Sequence, residues 1–209
     1  MEKKLLPELN VLAHALMEGN HELSPERREL LDAIAAAISG VSGEIHLNFI
    51  CVHNSRRSMI SQAWAQAAAC YHGLGGIHCV SGGTAVTAFH PNAVNALRRQ
   101  GFRIDMKSGG ANPVYEARYA PDAPSLEMYS KRFEDSVPLG KPFIAMMVCS
   151  TADSWCPVVP GAIRRFQFNY SDPGVSDGTD IMESVYDGRS KEIASEMLYL
   201  FSQVRDRKV

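Results

Sequence analysis

The feature that most constrains this chain is a junction. The run IHLNFIC, ending at Cys51, is apolar, rich in β-branched residues and of strand length, and RSMISQAWAQAAACYHG, rich in strong helix formers, begins six residues later at Arg57 and runs to a glycine stop. A strand that hands over to a helix through Val52-His53-Asn54-Ser55-Arg56 leaves no room for anything but a tight loop. The backbone N–H groups of such a loop and of the helix start can converge on one centre, where the positive end of the helix favours an oxyanion. The same field favours a thiolate, so Cys51 is expected to be an ionised nucleophile. Arg57 supplies a planar fork for two oxygens of a tetrahedral anion, Ser58 a hydroxyl for the Cys51 sulfur, and Asn54 a side chain that tolerates a left-handed turn. Val52, His53, Asn54, Ser55, Arg56, Arg57 and Ser58 are therefore the candidate oxyanion-binding residues.

Any such site must be local, because the chain carries a formal charge of only -2 and a pI near 6.4, which gives no basic field for nucleic acid. At 209 residues and 45% hydrophobic content it suits one well-packed domain with an appendage. No apolar run approaches the roughly 20 residues that cross a bilayer, and the first residues lack a long uninterrupted apolar core and a small-residue cleavage site. A cytoplasmic location without membrane contact is expected. The five cysteines, Cys51, Cys70, Cys79, Cys149 and Cys156, form no CxxC pair and no zinc spacing, so no metal is expected. Cys70 and Cys79 read as core packing.

Helical periodicity over 3–18 and 25–39 predicts an N-terminal helical hairpin, residues 1–43, with Ser24-Pro25 as a helix start and Gly40 as its stop. Residues 44–209 then alternate: strands at 45–51, 77–80, 143–148 and 165–168, with helices after Arg57, over about 91–100 and over about 190–204. That order predicts an α/β fold, a small parallel sheet with helices on both faces. Residues 104–141, rich in Gly, Pro, Asp and Ser with short apolar pieces such as PVYEARY, read as an insertion that forms a hairpin or flap.

CVHNSRRS, between its strand and helix, resembles the phosphate-binding loop of the low-molecular-weight protein tyrosine phosphatases and of the arsenate reductases that share their fold. Ser171-Asp172-Pro173 is similar to the family's Asp-Pro loop, which implies that Asp172 is the general acid that protonates the leaving oxygen. Cys149-Ser150-Thr151-Ala152-Asp153-Ser154-Trp155-Cys156-Pro157 resembles the redox segment of thioredoxin-coupled arsenate reductases. The resemblance implies a relay in which Cys51 attacks arsenate, Cys149 attacks Cys51, and Cys156 attacks Cys149. No tightly bound cofactor is implied, only phosphate, sulfate or arsenate in the loop, with thioredoxin as reductant and partner.

The resemblance covers about residues 44–206 and departs from the family at several places, among them an extra cation at Arg56 and a Cys51 to Cys149 interval lengthened by the 104–141 insertion. His53 stands where phosphatases commonly carry Gly, and Gly174-Val175 follows Asp172-Pro173 where the tyrosine phosphatases place aromatics. Were Cys149 to Cys156 one continuous helix, their Cα atoms would stand roughly 10 Å apart, beyond disulfide reach, so the segment would have to remodel during turnover. Two other readings stay open: a phosphomonoesterase that uses Cys51, Arg57 and Asp172 alone, and a non-catalytic oxyanion or thiol sensor that recruits a partner through its N-terminal helices.

Overall fold

The computed structural model describes residues 4–19, 23–155 and 158–208, with the backbone alone for 153–155 and 208. Cys156 lies outside the described residues. Two helices open the chain, α1 (Pro7–Glu18) and α2 (Pro25–Ser39), the second capped by Ser24, whose Oγ accepts the Arg27 N–H at 3.2 Å. Then come β1 (Ile45–Cys51), α3 (Arg57–Tyr71), β2 (Ile77–Gly83) and α4 (Pro91–Arg99). Three short strands follow, β3 (Arg103–Ser108), β4 (Val114–Arg118) and β5 (Leu126–Met128), before β6 (Phe143–Met147), α5 (Ser150–Trp155), β7 (Ala162–Gln167) and α6 (Met182–Lys208).

The main sheet is parallel, in the order β2-β1-β6-β7. Its centre, β1, is buried along all seven residues, which is why IHLNFIC reads as a continuous apolar run rather than an alternating one. The two faces of the sheet meet different elements. On one, Ser81 in β2 donates to Gln62 Oε1 of α3 at 2.6 Å; on the other, Asn48 Nδ2 in β1 donates to the Phe133 carbonyl at 3.1 Å, in a single 3-10 turn over Phe133–Asp135. Gln66 of α3 closes the β2 edge, donating to Ile77 O and accepting from the Cys79 N–H. The expected α/β architecture is thus present, with the N-terminal helices added to it.

The N-terminal helices are present as expected, and α1, α2, α3 and α4 all pack on α6. Two details differ from the sequence reading. That last helix runs 27 residues, about 40 Å, from Met182 rather than from about 190, since Gly188 interrupts the helical pattern without breaking the helix. The stretch 104–141 is more than a hairpin: β3, β4 and β5 make an antiparallel meander beside the main sheet. Among the described residues no helix is long and apolar enough to cross a membrane, and no cluster of three or more His, Cys, Asp or Glu could hold a metal ion.

Candidate active site

Cys51 ends β1 and Arg57 begins α3, so the loop between them sits at the carboxyl end of the parallel sheet, where open α/β folds bind ligands. What orients this loop is the fate of its carbonyls. Cys51 O accepts from Thr84 N, Val52 O from Ala85 N and Thr84 Oγ1, His53 O from Thr87 Oγ1 and Ser130 Oγ, and Ser55 O from His90 N, all at 2.8 to 3.3 Å. In a trans peptide the N–H of the next residue points the opposite way. With the carbonyls held outward by residues 84–90 and 130, the amides of Val52, His53, Asn54 and Arg56 face the loop's inside. No side chain caps α3, so its first-turn amides add to the same concavity.

Asn54 is the one non-glycine residue with positive φ among the described residues, at 44°. It holds that conformation through three bonds: Nδ2 donates to Ser58 Oγ and Ser81 Oγ, both at 2.9 Å, and Oδ1 accepts the Lys131 N–H at 3.0 Å. His53, by contrast, has an ordinary negative φ, so its replacement of the family's Gly needs no special backbone. Ser58 Oγ lies 3.1 Å from Cys51 Sγ. Because Asn54 already donates to that oxygen, the hydroxyl proton is free to point at sulfur.

Arg57 and Asp172 meet directly. Arg57 Nη2 donates to Asp172 Oδ2 at 2.6 Å and Nη1 to the Tyr170 carbonyl at 3.0 Å. A guanidinium carries five N–H bonds, so three remain for an anion. Asp172 Oδ1 accepts from Gly174 N at 3.0 Å, which fixes the carboxylate at the head of the 3-10 turn Pro173–Ser176. The residues expected as acid and clamp, 115 apart in sequence, are thereby brought to one place.

Arg56, whose side chain had no partner readable from the sequence, has two. Its Nε donates to Tyr186 Oη and its Nη2 to Asp177 Oδ2, both at 2.6 Å, while Tyr186 and Asn92 donate to Asp177 Oδ1. Although partial burial opposes it, bonds from Tyr186, Asn92 and Arg56 hold the Asp177 carboxyl below its usual range. The Arg56 side chain therefore fastens the Asp172-bearing turn to the anion loop; within the candidate oxyanion set, its amide rather than its guanidinium faces inward. Asp177, Tyr186 and Ser130 were missed by sequence reasoning, because nothing local marks them.

Cys149 lies two residues beyond β6, the strand beside β1, in a buried position. Burial pushes its thiol up; the Ala152 N–H at 3.4 Å, Arg57 and the Val52 N–H pull it down, and Cys51 pushes it up. Those neighbours place Cys149 against the inside of the anion loop. The segment after it is the helix α5, so the geometric objection to a direct Cys149–Cys156 approach applies through Trp155. Cys70 and Cys79 are buried in the core as expected, and burial pushes the Cys79 thiol far up, away from reactivity.

The low molecular weight phosphotyrosine protein phosphatase family matches residues 46–122 of the chain. An arsenate reductase of Brevibacillus brevis is 28% identical over 125 residues, covering 60% of this chain and 74% of that one. Over these residues the chain is similar to the low-molecular-weight phosphatase superfamily. A second arsenate reductase, from Bacillus licheniformis, is 23% identical over 155 residues, 74% of this chain and 93% of that protein. Among solved structures, a low molecular weight phosphotyrosine phosphatase of Vibrio cholerae O395 superposes with a TM-score of 0.53 at 13% identity, covering 78% of this chain and 99% of that one, a likeness of fold. The sequence relatives are named arsenate reductases, and the matching family is one of phosphatases.

Proposed function

We propose that this protein is an arsenate reductase that is returned to its dithiol state by thioredoxin. The observation that carries the reading is the position of Cys149, buried at the end of β6 and in electrostatic contact with both Cys51 and Arg57. A phosphatase working through Cys51, Arg57 and Asp172 has no use for a second thiol there.

The inward amides of the loop and the remaining N–H groups of Arg57 hold the oxyanion; phosphate and sulfate, of similar shape and charge, occupy the same place. The Cys51 thiolate attacks arsenic, and an arsenic-bound hydroxyl leaves as water once the incoming anion has displaced Asp172 from Arg57 and Asp172 passes it a proton. The Cys149 thiolate then attacks Cys51 Sγ. The sulfur–arsenic bond breaks, its electron pair stays with arsenic, and arsenite departs as As(III) while a Cys51–Cys149 disulfide forms. Cys156 attacks Cys149 Sγ, which frees Cys51, and a thioredoxin dithiol takes up the Cys149–Cys156 disulfide. Helix α5 must open for that last exchange, since six helical residues separate the two cysteines.

A second reading, phosphomonoester hydrolysis, draws on the Arg57–Asp172 pair, which is complete without Cys149. The two part in one assay. NADPH consumption with arsenate, thioredoxin and thioredoxin reductase should require Cys149, and Cys149→Ser should abolish multiple turnover. If that variant keeps full aryl-phosphate hydrolysis and wild type shows no arsenate-dependent oxidation, the phosphatase reading replaces this one.

A further inference from the structure

Resting on the anion-site reading above, we infer that Arg27, on α2 of the N-terminal extension, is a positioning residue for the Arg57 clamp and the Asp172 turn. Arg27 lies outside the stretch that the family matches, yet a continuous set of contacts joins it to the site.

The connection starts at Glu196 on α6, which is only 5% exposed. Arg27 meets it with a bidentate pair, Nε to Oε1 and Nη2 to Oε2, both at 2.7 Å. The buried Tyr170 donates its hydroxyl to the same Oε2 at 2.6 Å. Arg27 also stands over the segment that leads to Asp172: its Cζ is 3.8 Å from the Phe168 ring centroid and 5.0 Å from that of Tyr170, and the two rings meet edge to face. Tyr170 then reaches the site at its other end, since its carbonyl accepts from Arg57 Nη1 at 3.0 Å, and Asp172 follows two residues on.

This segment has left the sheet. Past β7 it keeps, among the described residues, the Phe168 N–H to Met147 O and the Tyr170 N–H to Val148 O as ladder-like bonds. The side chain of Tyr170 therefore sets where its carbonyl stands, and Glu196 with Arg27 sets where that side chain stands. A carboxylate as buried as Glu196 needs a charged partner, and a bidentate guanidinium fixes its plane as well as its charge, which an ammonium does not. Without Arg27, Glu196 must seek water or a proton. Its bond to Tyr170 loosens, and Arg57 loses one of the two acceptors that aim it.

The test reads the clamp without assuming a substrate. Iodoacetate is drawn to a thiolate by a neighbouring anion site, whereas iodoacetamide, of similar size and reactivity, is not. The ratio of the two rates of Cys51 alkylation, measured by peptide mapping, reports Arg57 and the loop. In wild type the ratio should exceed that of a small free thiol. In Arg27→Ala it should fall about ten-fold, as expected of a misplaced positioning contact, and Arg27→Lys should recover only part. A merely structural role for Arg27 would lower the melting temperature and slow or speed both reagents together, leaving the ratio unchanged; that result overturns the inference. Should Arg27→Ala fail to fold, the neutral pair Arg27→Gln with Glu196→Gln removes the buried charge and answers the same question. A wild type that shows no preference for iodoacetate would defeat the anion-site reading itself, and is distinguishable from a preference that survives loss of Arg27.

Discussion

Asn54 and Gly83 show how little slack the anion loop has. A Cβ added at Gly83 would stand 2.7 Å from Asn54 N and from Val52 O, both backbone atoms of the loop. Gly83→Ala is therefore expected to displace the loop rather than a side chain, to cost about 2 kcal/mol or more of stability, and to abolish protection of Cys51 from alkylation by inorganic phosphate. Thermal melts and phosphate-protection kinetics check both effects. Much at this scale was legible in the sequence. Asn54 is a residue type that tolerates positive φ, and Cys51, Arg57 and Ser58 follow from the spacing of the loop. What could not be read was the use of Arg56 and Asp177, which stand 121 residues apart and carry no local pattern. Only the fold brings the second half of such a pair into view.

At the scale of elements, the least legible part is also the part that holds the loop from outside. The meander β3–β5 consists of short strands broken by Gly and Pro, one of them three residues long, so periodicity over 104–141 is weak. PVYEARY, noted only as a short apolar piece, contains β4. The strap that follows β5 carries Ser130, whose Oγ donates to His53 O at 2.9 Å and accepts the Thr87 N–H at 2.9 Å, and whose amide bonds Asn112. Ser130→Ala removes two of these bonds and leaves the Thr87 N–H without that partner. We expect a loss of about 1 to 2 kcal/mol, a several-fold rise in the KM for arsenate or aryl phosphate, and a smaller change in kcat, since His53 is the loop residue it orients. Unchanged KM in a folded Ser130→Ala protein would show that Thr87 alone suffices. The elements read correctly are the long ones with unmistakable patterns, β1, α3, α4 and β6, which also carry Cys51, Arg57 and the approach to Cys149.

For the whole molecule, acid should be a selective stress. His72 caps α3, buried against α6, with Nε2 donating to Leu198 O at 2.9 Å and Nδ1 near Arg205. Burial lowers its pKa to about 4. The unfolded chain, with His near 6.5, binds the extra proton first, so stability is fully present above about 6.5 and falls as the pH drops toward about 4, by an amount on the order of 2 to 3 kcal/mol. His72→Gln, which can still donate to Leu198 O, should flatten the difference between urea midpoints at pH 7 and pH 5. An undiminished difference would assign the acid sensitivity to other groups. The α3–α6 contact is the spine on which α1, α2 and α4 also pack, so loosening it at low pH should be felt as one cooperative transition.

The pairing of Arg57 with Asp172 has an energetic meaning beyond geometry. The protein carries its own resident rival for the oxyanion: a tethered carboxylate, always at high effective concentration, that any incoming anion must outbid for part of the guanidinium. Measured affinity is then the cradle's intrinsic attraction less the work of loosening that internal contact. An unopposed guanidinium would make release of a bound oxyanion slow, whereas a self-occupied clamp expels its contents as the tether re-engages. Weak ground-state holding, strengthened only as charge develops in the reaction, is the condition under which binding energy accelerates chemistry instead of storing the ligand.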